Sequence, residues 1–381
     1  MQAAIDLAMR GRGGVEPNPM VGCAIVKDGQ IIGRGYHQHY GSAHAEPNAL
    51  ASCDSSPTDA TAYVTLEPCC HNDKQTPPCV PRLIEAKVAR VVVGCLDPNP
   101  KVSGRGIQLL RNAGIAVDVG VCGDACRQLI APFMAKIKLG RPYVTLKWAE
   151  TADGKVAGPG GKRLAITGPI ANRAVHELRS RCDAILVGIN TVLNDNPLLT
   201  VRSVPVMRTP LRVVLDSKLR IPLTSRLVQT AAEQPVLVYA FDGSLVAANK
   251  LRERGGEVAE LPAGKDGLDL SALLEDLCNR GCMHLLVEPG PRLACSFINA
   301  KLADRIWRIQ SPIQLSDVNA PAIGPPPNMF QHIDQCQLGP DTLTEFLNRK
   351  SETFVAPFAS ADFHLLSHAT FPNQAGYNAD T

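Results

Sequence analysis

His44-Ala45-Glu46, followed by Glu67-Pro68-Cys69 and then Cys79, sets the tightest constraint on what this chain can fold into. One imidazole and two thiolates can hold a zinc ion and leave its fourth tetrahedral position open to water. Glu46, two residues after the histidine, is close enough to move protons to and from that water without being a ligand. A purely structural zinc is the rival reading, but such sites use four protein ligands and have no use for an adjacent acid. His71, inside the Cys69–Cys79 loop, remains open as a fourth ligand, although its position fits a substrate contact better. The first thiol is also open between Cys69 and Cys70. The Pro68-Cys69 dipeptide favours Cys69, and consecutive residues at a strand end point in different directions.

The order His-x-Glu, Pro-Cys, Cys is the signature of zinc deaminases acting on cytosine- or adenine-type rings. In that chemistry water attacks an amidine-like ring carbon, and Glu46 would serve as general base and then general acid. The usual signature closes with Cys-x-x-Cys, whereas here nine residues, 70–78, lie between the thiols. A nucleic-acid-editing deaminase would want a basic groove and stacking aromatics. An aromatic content of 4% and a net charge of +3 argue against one.

The length of 381 residues favours two domains over one core. No apolar run is long enough to cross a bilayer. Residues 1–12 read as a short amphipathic helix (Ile5, Leu7, Ala8) without the apolar core of a signal peptide. Thirteen cysteines in no small-scaffold spacing fit reduced thiols in a cytoplasm.

Strand and helix signals alternate through the first 140 residues. Runs at 21–26 and 31–35 flank Asp28-Gly29, a hairpin turn. Residues 45–53 read as a helix, 62–66 as a strand delivering Glu67-Pro68-Cys69, 81–86 as a helix, 90–93 as a strand, 104–113 as a helix and 115–119 as a strand. Leu139-Gly140-Arg141-Pro142 punctuates the pattern and marks a domain boundary. Buried-strand signals follow at 143–148, 184–187, 212–215, 236–239 and 284–287. Helical signals at 170–181, 245–254, 270–280 and 292–300 separate several of them, which predicts a largely parallel sheet. Residues 322–328 are Pro-rich and read as extended. The expected organisation is 1–140, 141–350 and a peripheral tail, 351–381.

Further motifs extend the pattern. Asn18-Pro19-Met20-Val21-Gly22, His37-x3-Gly41-x2-His44-Ala45-Glu46, Thr65-Leu66-Glu67-Pro68-Cys69, Thr76-Pro77-Pro78-Cys79 and Asp97-Pro98-Asn99-Pro100 resemble the deaminase half of the bifunctional riboflavin-biosynthesis deaminase–reductases. Ala152-Asp153-Gly154-Lys155, Ile166-Thr167-Gly168-Pro169, Leu178-Arg179, Gly188, the run from Thr191 to Arg202, and Val287-Glu288-Pro289-Gly290-Pro291 resemble its reductase half. The resemblance runs from residue 1 to about 310, with both halves in the family's order.

It implies an α/β chain with an N-terminal cytidine-deaminase-like α/β/α domain and a dihydrofolate-reductase-like α/β domain. It also implies a phosphoribosylated diaminopyrimidinone as the first substrate, deaminated and then reduced by NADPH to a ribityl product. By position, His44, Cys69 and Cys79 would hold Zn2+, with Glu46 as proton shuttle. Asn18, His37, His71 and Lys74 would touch the deaminase substrate. In the second half Lys147 and Asp195 would be catalytic, and Arg163, Arg179, Leu199, Arg202 and Glu288 would contact substrate. Ala149, Ala165, Thr191, Asp195, Ser217, Gly290, Pro291, Arg292, Leu293, Ala294, Cys295 and Ser296 would form the cofactor site. The planar forks of Arg179 and Arg202 suit a phosphate monoester. Gly290-Pro291 leads into a helical pattern whose first N–H groups could hold a cofactor phosphate. Asp195 reads as a loop residue. The family typically assembles through its reductase half, so a homo-oligomer is expected, with no nucleic-acid partner and no membrane.

The chain also departs from the family's pattern. The inter-cysteine loop is one residue longer, so the expected lysine is Lys74 or is displaced by Gln75. Ala165 stands where the family has a tryptophan, Arg163 where it has a small polar residue, Pro289 where it has Gly or Ala, and Glu150 where it is small. A glycine pair expected near Ser316 is missing. Most of these changes fall in the second half, so the alternative is a monofunctional deaminase with an inactive reductase-like domain.

Overall fold

The computed structural model describes residues 1–71, 76–206, 208–241, 243–265 and 267–354. Lys74 and the tail from 355 onward lie outside the described residues. The first sheet has five strands in the order β2-β1-β3-β4-β5. β1 (Gly22–Lys27) and β2 (Gln30–Tyr36) form the expected hairpin. Its turn residues Asp28 and Gly29 have φ of 50° and 77°, the pair of positive angles that a two-residue turn between right-twisted strands requires. β3 (Thr61–Leu66) runs antiparallel to β1 and parallel to β4 (Arg90–Cys95), which is parallel to β5 (Ala116–Val119).

Each face of this sheet carries its own apolar cluster, because successive strand residues point to opposite sides. Cys23, Ile25, Val64 and Val93 pack under Ala45, Ala49, Val80, Leu83 and Leu110. These come from α2 (Ala45–Ala51), α3 (Cys79–Glu85) and α4 (Arg105–Asn112). On the other face α1 (Gln2–Met9) and α5 (Gly123–Leu129) bury Ile5, Ala8, Cys126 and Leu129. Gly22 allows α1 to sit directly on the strand backbone, since a Cβ there would lie 1.9 Å from the Ala4 carbonyl oxygen. The layers are therefore α/β/α.

Neither α5 nor α6 (Ala131–Leu139) was legible in the sequence. Each is short, and α5 mixes Gly, Asp, Arg and Gln with its apolar residues, which leaves little period to read.

The second sheet has nine strands in the order β10-β9-β8-β7-β13-β6-β14-β16-β15. The chain runs β6 (Tyr143–Glu150), α7 (Pro169–Arg179), β7 (Ala184–Gly188), α8 (Ile189–Asp195), β8 (Leu211–Leu215), α9 (Arg226–Gln229) and β9 (Val236–Ala240). It continues through α10 (Leu245–Arg252), β10 (Glu257–Glu260), a small ladder of β11 (Ala263–Gly264) and β12 (Gly267–Leu268), α11 (Leu270–Asn279) and β13 (His284–Val287). It ends with α12 (Pro291–Asn299), β14 (Arg305–Gln310), β15 (Phe330–Leu338) and β16 (Asp341–Asn348). From β10 across to β14 every pairing is parallel, as the alternation of strand and helix signals predicted. The antiparallel pair β16-β15 closes the other edge.

The three last strands escaped the sequence reading. In β14 arginines interrupt the apolar run, and they are neutralised across the sheet: Arg305 pairs with Glu345 and Arg308 approaches Glu150. In β15 only the two end residues are buried, so no core-facing pattern shows.

Asp304 locks the point where the chain enters this sheet. Its buried carboxylate accepts two hydrogen bonds from Arg141 (2.7 and 2.9 Å), one from the Val144 N–H (2.9 Å) and one from the Ser351 hydroxyl (2.6 Å).

Candidate active sites

Local backbone geometry brings the first site together. His44 caps the start of α2, Cys79 is the first residue of α3, and Cys69 lies three residues beyond the end of β3. The Cys79 N–H donates to the Cys69 carbonyl (3.0 Å) and to its Sγ (3.4 Å), fixing one thiol against the other. His44 Nδ1 lies 3.5 Å from Cys69 Sγ and 3.4 Å from Cys79 Sγ. Zinc bonds of ~2.3 Å to sulfur and ~2.0–2.1 Å to nitrogen at the tetrahedral angle give an edge of about 3.6 Å. The donor set thus fits zinc in both chemistry and spacing. Among the described residues it contains His44, Cys69 and Cys79, and His71 lies outside it. Cys70 instead packs against the apolar cluster beneath α2 and α3.

Thr76, unassigned in the sequence reading, sits 3.2 Å from His44 Nε2. With Nδ1 turned to a metal, Nε2–H donates to this hydroxyl and fixes the ring's orientation. Glu67 also has a role the motif did not reveal. Its carboxylate accepts the backbone N–H groups of Gly104 (2.9 Å) and Gly106 (3.0 Å), tying the start of α4 to the strand end that presents Cys69.

Glu46 is buried in the first turn of α2, and that burial raises its carboxyl pKa, followed by the charge of Cys69. His37 Nδ1–H donates to the Ala43 carbonyl (3.1 Å), so its Nε2 accepts from the Asn18 amide (3.2 Å). Burial lowers the His37 pKa, which favours the neutral ring. His71 holds a buried Nδ1 without a hydrogen-bond partner. Asn18, His37, His44, Glu46, Cys69 and His71 all line one cavity of about 290 Å³.

The second group gathers at the C-terminal ends of parallel strands, the edge where open α/β sheets bind ligands. Lys147 and Ala149 lie on β6, Ser217 follows β8, and Glu288 to Gly290 follow β13. A Cβ on Gly290 would meet nothing within 4 Å, so the backbone there is open to a ligand. Gly290, Pro291 and Arg292 begin α12, but Ala294 is buried in its inner face and the Ser296 hydroxyl is spent on the Arg292 carbonyl (3.0 Å). Leu293 packs on the core beneath, while Cys295 is exposed.

Three expectations change. Arg179 is not a free phosphate fork: Nε and Nη2 donate to Glu288 at 2.7 and 2.8 Å, with side-chain exposures of 12% and 16%. A planar fork matches a carboxylate as well as a phosphate, and only the fold decides which one it meets. Asp195 is not in a loop but is the last residue of α8, on the same helix as Thr191. Leu199 is only 2% exposed in the core, with φ of 53°, so its side chain is not available to a substrate.

Electrostatics couple the remaining residues. Burial would raise the Glu288 carboxyl, but Arg179, with Lys147 and His176 behind it, overrides that and holds it at about 2. Burial lowers the Lys147 ammonium, with Glu288 opposing. His176, which the sequence reading passed over, accepts the Arg202 N–H (3.1 Å) and is held at about 4 by burial and by Arg179 and Arg202. Arg202 itself is exposed, reaching the Thr200 hydroxyl at 2.8 Å. Burial raises the Asp195 carboxyl, opposed by the charge of exposed Arg163. Ala165 is exposed as well.

Two of the departures have structural answers. Glu150 is buried, but it accepts the Trp148 indole N–H at 2.9 Å. Ser316 adopts φ of 56°, a glycine-favouring angle, while its N–H donates to Asp153 at 2.9 Å.

Comparison with known proteins matches residues 1–95 to the cytidine and deoxycytidylate deaminase zinc-binding region and residues 142–343 to the RibD C-terminal domain. The chain is 44% identical to the riboflavin biosynthesis protein RibD of Aquifex aeolicus over 306 residues, covering 80% of this chain and 84% of that one. It is 41% identical to RibD of Escherichia coli over 320 residues, covering 80% and 85%. Among solved structures it resembles Acinetobacter baumannii RibD, with a TM-score of 0.79 and 36% identity over 91% of this chain and 97% of that one. It also resembles a diaminohydroxyphosphoribosylaminopyrimidine deaminase/5-amino-6-(5-phosphoribosylamino)uracil reductase of Thermotoga maritima, with a TM-score of 0.78 and 33% identity over the same shares.

Proposed function

Since the chain belongs to the RibD family of riboflavin-biosynthesis deaminase–reductases, we propose how its own residues divide the two reactions. Residues 1–140 form the deaminase and 141–350 the reductase. The deaminase hydrolyses an amino group from a phosphoribosylated diaminopyrimidinone, and the reductase converts the ribosyl group of the resulting aminouracil to ribityl. The observation that carries this reading is the tetrahedral spacing of His44, Cys69 and Cys79 beside buried Glu46 in one cavity.

Zinc, which His44, Cys69 and Cys79 would hold, would supply a Lewis acid that brings the pKa of water to about 7. Glu46 takes a proton from the attacking water and passes it to the ring nitrogen; it then takes the remaining hydroxyl proton as the carbonyl forms and gives it to the departing amine, which leaves as ammonia when the C–N bond breaks. Neutral His37, fixed by Ala43, holds the Asn18 amide against the ring. The unpartnered His71 Nδ1 gives the substrate a further hydrogen bond.

NADPH, which Ser217 and the Gly290–Arg292 turn would hold at the strand-end cleft, would supply a hydride for the anomeric carbon of the ribosyl group. The ring C–O bond opens and its oxygen takes a proton. We assign that proton to Lys147 and Asp195, one with a lowered and one with a raised pKa, both displaced towards neutrality. Glu288 orients Lys147, and Arg179 holds Glu288 in place. The phosphate then falls to Arg202. Exposed apolar residues at the start of α10, Leu245 (72%) and Val246 (62%), support self-association through the reductase. No described helix is long and apolar enough to cross a membrane. We assign a cytoplasmic location and no nucleic-acid ligand.

The test is sequential on one purified sample: ammonia release from the diaminopyrimidinone, then NADPH oxidation. Deamination without NADPH oxidation would reduce the second domain to a fold without activity.

A further inference from the structure

Between the two domains lies a second cavity, of about 100 Å³, that neither reaction uses. Arg12 and Glu16 reach it from the deaminase side, Arg181 from the end of α7, and Tyr143, His284, Arg305 and Trp307 from the second sheet. Its lining holds three arginines and one carboxylate, Glu16. Glu345 is taken by Arg305, and Glu16 is taken by Arg208 at 3.1 Å. Arg181 approaches its acid, Glu177, only at 3.9 Å. Arg12 makes no ion pair and no side-chain hydrogen bond among the described residues, although it faces Arg181 and Arg305.

Bringing like charges together in a partly desolvated cleft is unfavourable unless an anion joins them. Burial, and then Arg181 and Arg305, pull the Arg12 guanidinium down to about 9, with Glu16 and Glu345 opposing. One more donor is present. Trp307 is 2% exposed, and its indole N–H is buried without a hydrogen-bond partner. The cavity also shares Asn18, Pro19 and Phe133 with the deaminase cavity, so the two are adjacent.

We propose that this interdomain cavity binds a phosphomonoester, whose dianion is held by Arg12 with Arg181 and Arg305. Guanidinium forks are the side chains best matched to phosphate oxygens, and the space admits a phosphoryl group with part of a sugar. The site is distinct from the phosphate position assigned to Arg202 in the reductase cleft. It ties the two domains together through a ligand that carries the same kind of phosphoryl group as the enzyme's own substrates.

The experiment is isothermal titration of the zinc-loaded full chain with ribose 5-phosphate, inorganic phosphate and ribose. Ribose 5-phosphate is expected to bind and ribose is not. Arg12→Gln and, independently, Arg181→Gln should each weaken that binding by roughly tenfold or more, the loss of a charge-assisted contact. Arg12→Lys should restore part of it. Inorganic phosphate binding as tightly as the ester would identify the free anion as the ligand, and tighter binding of the ester would identify a sugar phosphate. Because Arg202 offers a second phosphate position, either outcome supports the interdomain site through its loss in Arg12→Gln and Arg181→Gln. Arg181 lies at the end of a helix, so its variant serves if Arg12→Gln does not fold, as checked by tryptophan fluorescence. Unchanged affinity in folded Arg12→Gln and Arg181→Gln, or no binding of either phosphate, overturns the proposal. Deamination and NADPH oxidation measured on the same wild-type sample test the functional assignment separately.

Discussion

Glu288→Gln isolates the charge of the residue on which the reductase cluster turns. The carboxyl sits at about 2 in the folded chain against an ordinary value of 4.5, because Arg179 holds it at 2.7 and 2.8 Å. That drop corresponds to about 3 kcal/mol of folding stability at pH 7. Both partners are less than a fifth exposed, so little of this is lost to solvent screening. The sign follows from the direction of the shift. A carboxyl depressed on folding contributes fully above pH ~4.5, and its contribution fades as pH falls towards 2. Glutamine keeps the shape and removes the charge, leaving Arg179 facing a neutral amide. The assay is built into the sequence: both tryptophans, Trp148 and Trp307, lie in the second sheet, so their fluorescence follows that domain. We expect a melting temperature lower by about 6–12 °C at pH 7. The gap to wild type should shrink below pH ~4.5. With Glu288 neutral, burial and Arg179 act unopposed on Lys147, so the reductase pH profile should also move to lower pH. A gap under about 1 kcal/mol at pH 7, or one that does not shrink in acid, would refute this account of the pair.

Three further outcomes follow from the geometry. Glu46→Gln should cut deamination turnover by about 10²–10⁴-fold while zinc content and NADPH oxidation stay unchanged; undiminished deamination would remove Glu46 from the mechanism. Cys69→Ser should lose bound zinc and Cys70→Ser should keep it, because Cys69, and not Cys70, joins His44 and Cys79 in the donor set among the described residues; atomic absorption on the two variants decides, and zinc retained by Cys69→Ser reverses the assignment. Asp304→Ala should cost about 3–5 kcal/mol by leaving Arg141 and the Val144 N–H without their acceptor; denaturation followed by the same tryptophans measures it, and a loss below ~1 kcal/mol would show that solvent replaces the carboxylate.

Where chemistry depends on residue type and short-range order, the sequence alone determined the outcome. His44, Glu46 and Cys79 could be named as candidates because the helix starts that present them have local causes. The parallel strands β6, β7, β8, β9 and β13 were visible as continuous apolar runs, since strands covered on both faces need no polar side. The hairpin turn was written in Asp28-Gly29.

What only tertiary structure decided were the pairings between distant residues. Arg179 and Glu288 each looked like a substrate contact, and only the packing of α7 beside β13 shows them satisfying one another. The arginines of β14 obscured a central strand because their partners, Glu345 and Glu150, lie on other strands. The burial of the Leu199 side chain in the core also shows only in the packing. Arg12, Arg181 and Arg305 share no motif or spacing. Their meeting between the domains follows from how two separately folded sheets face each other, and long-range electrostatics of that kind leaves no local mark in a sequence.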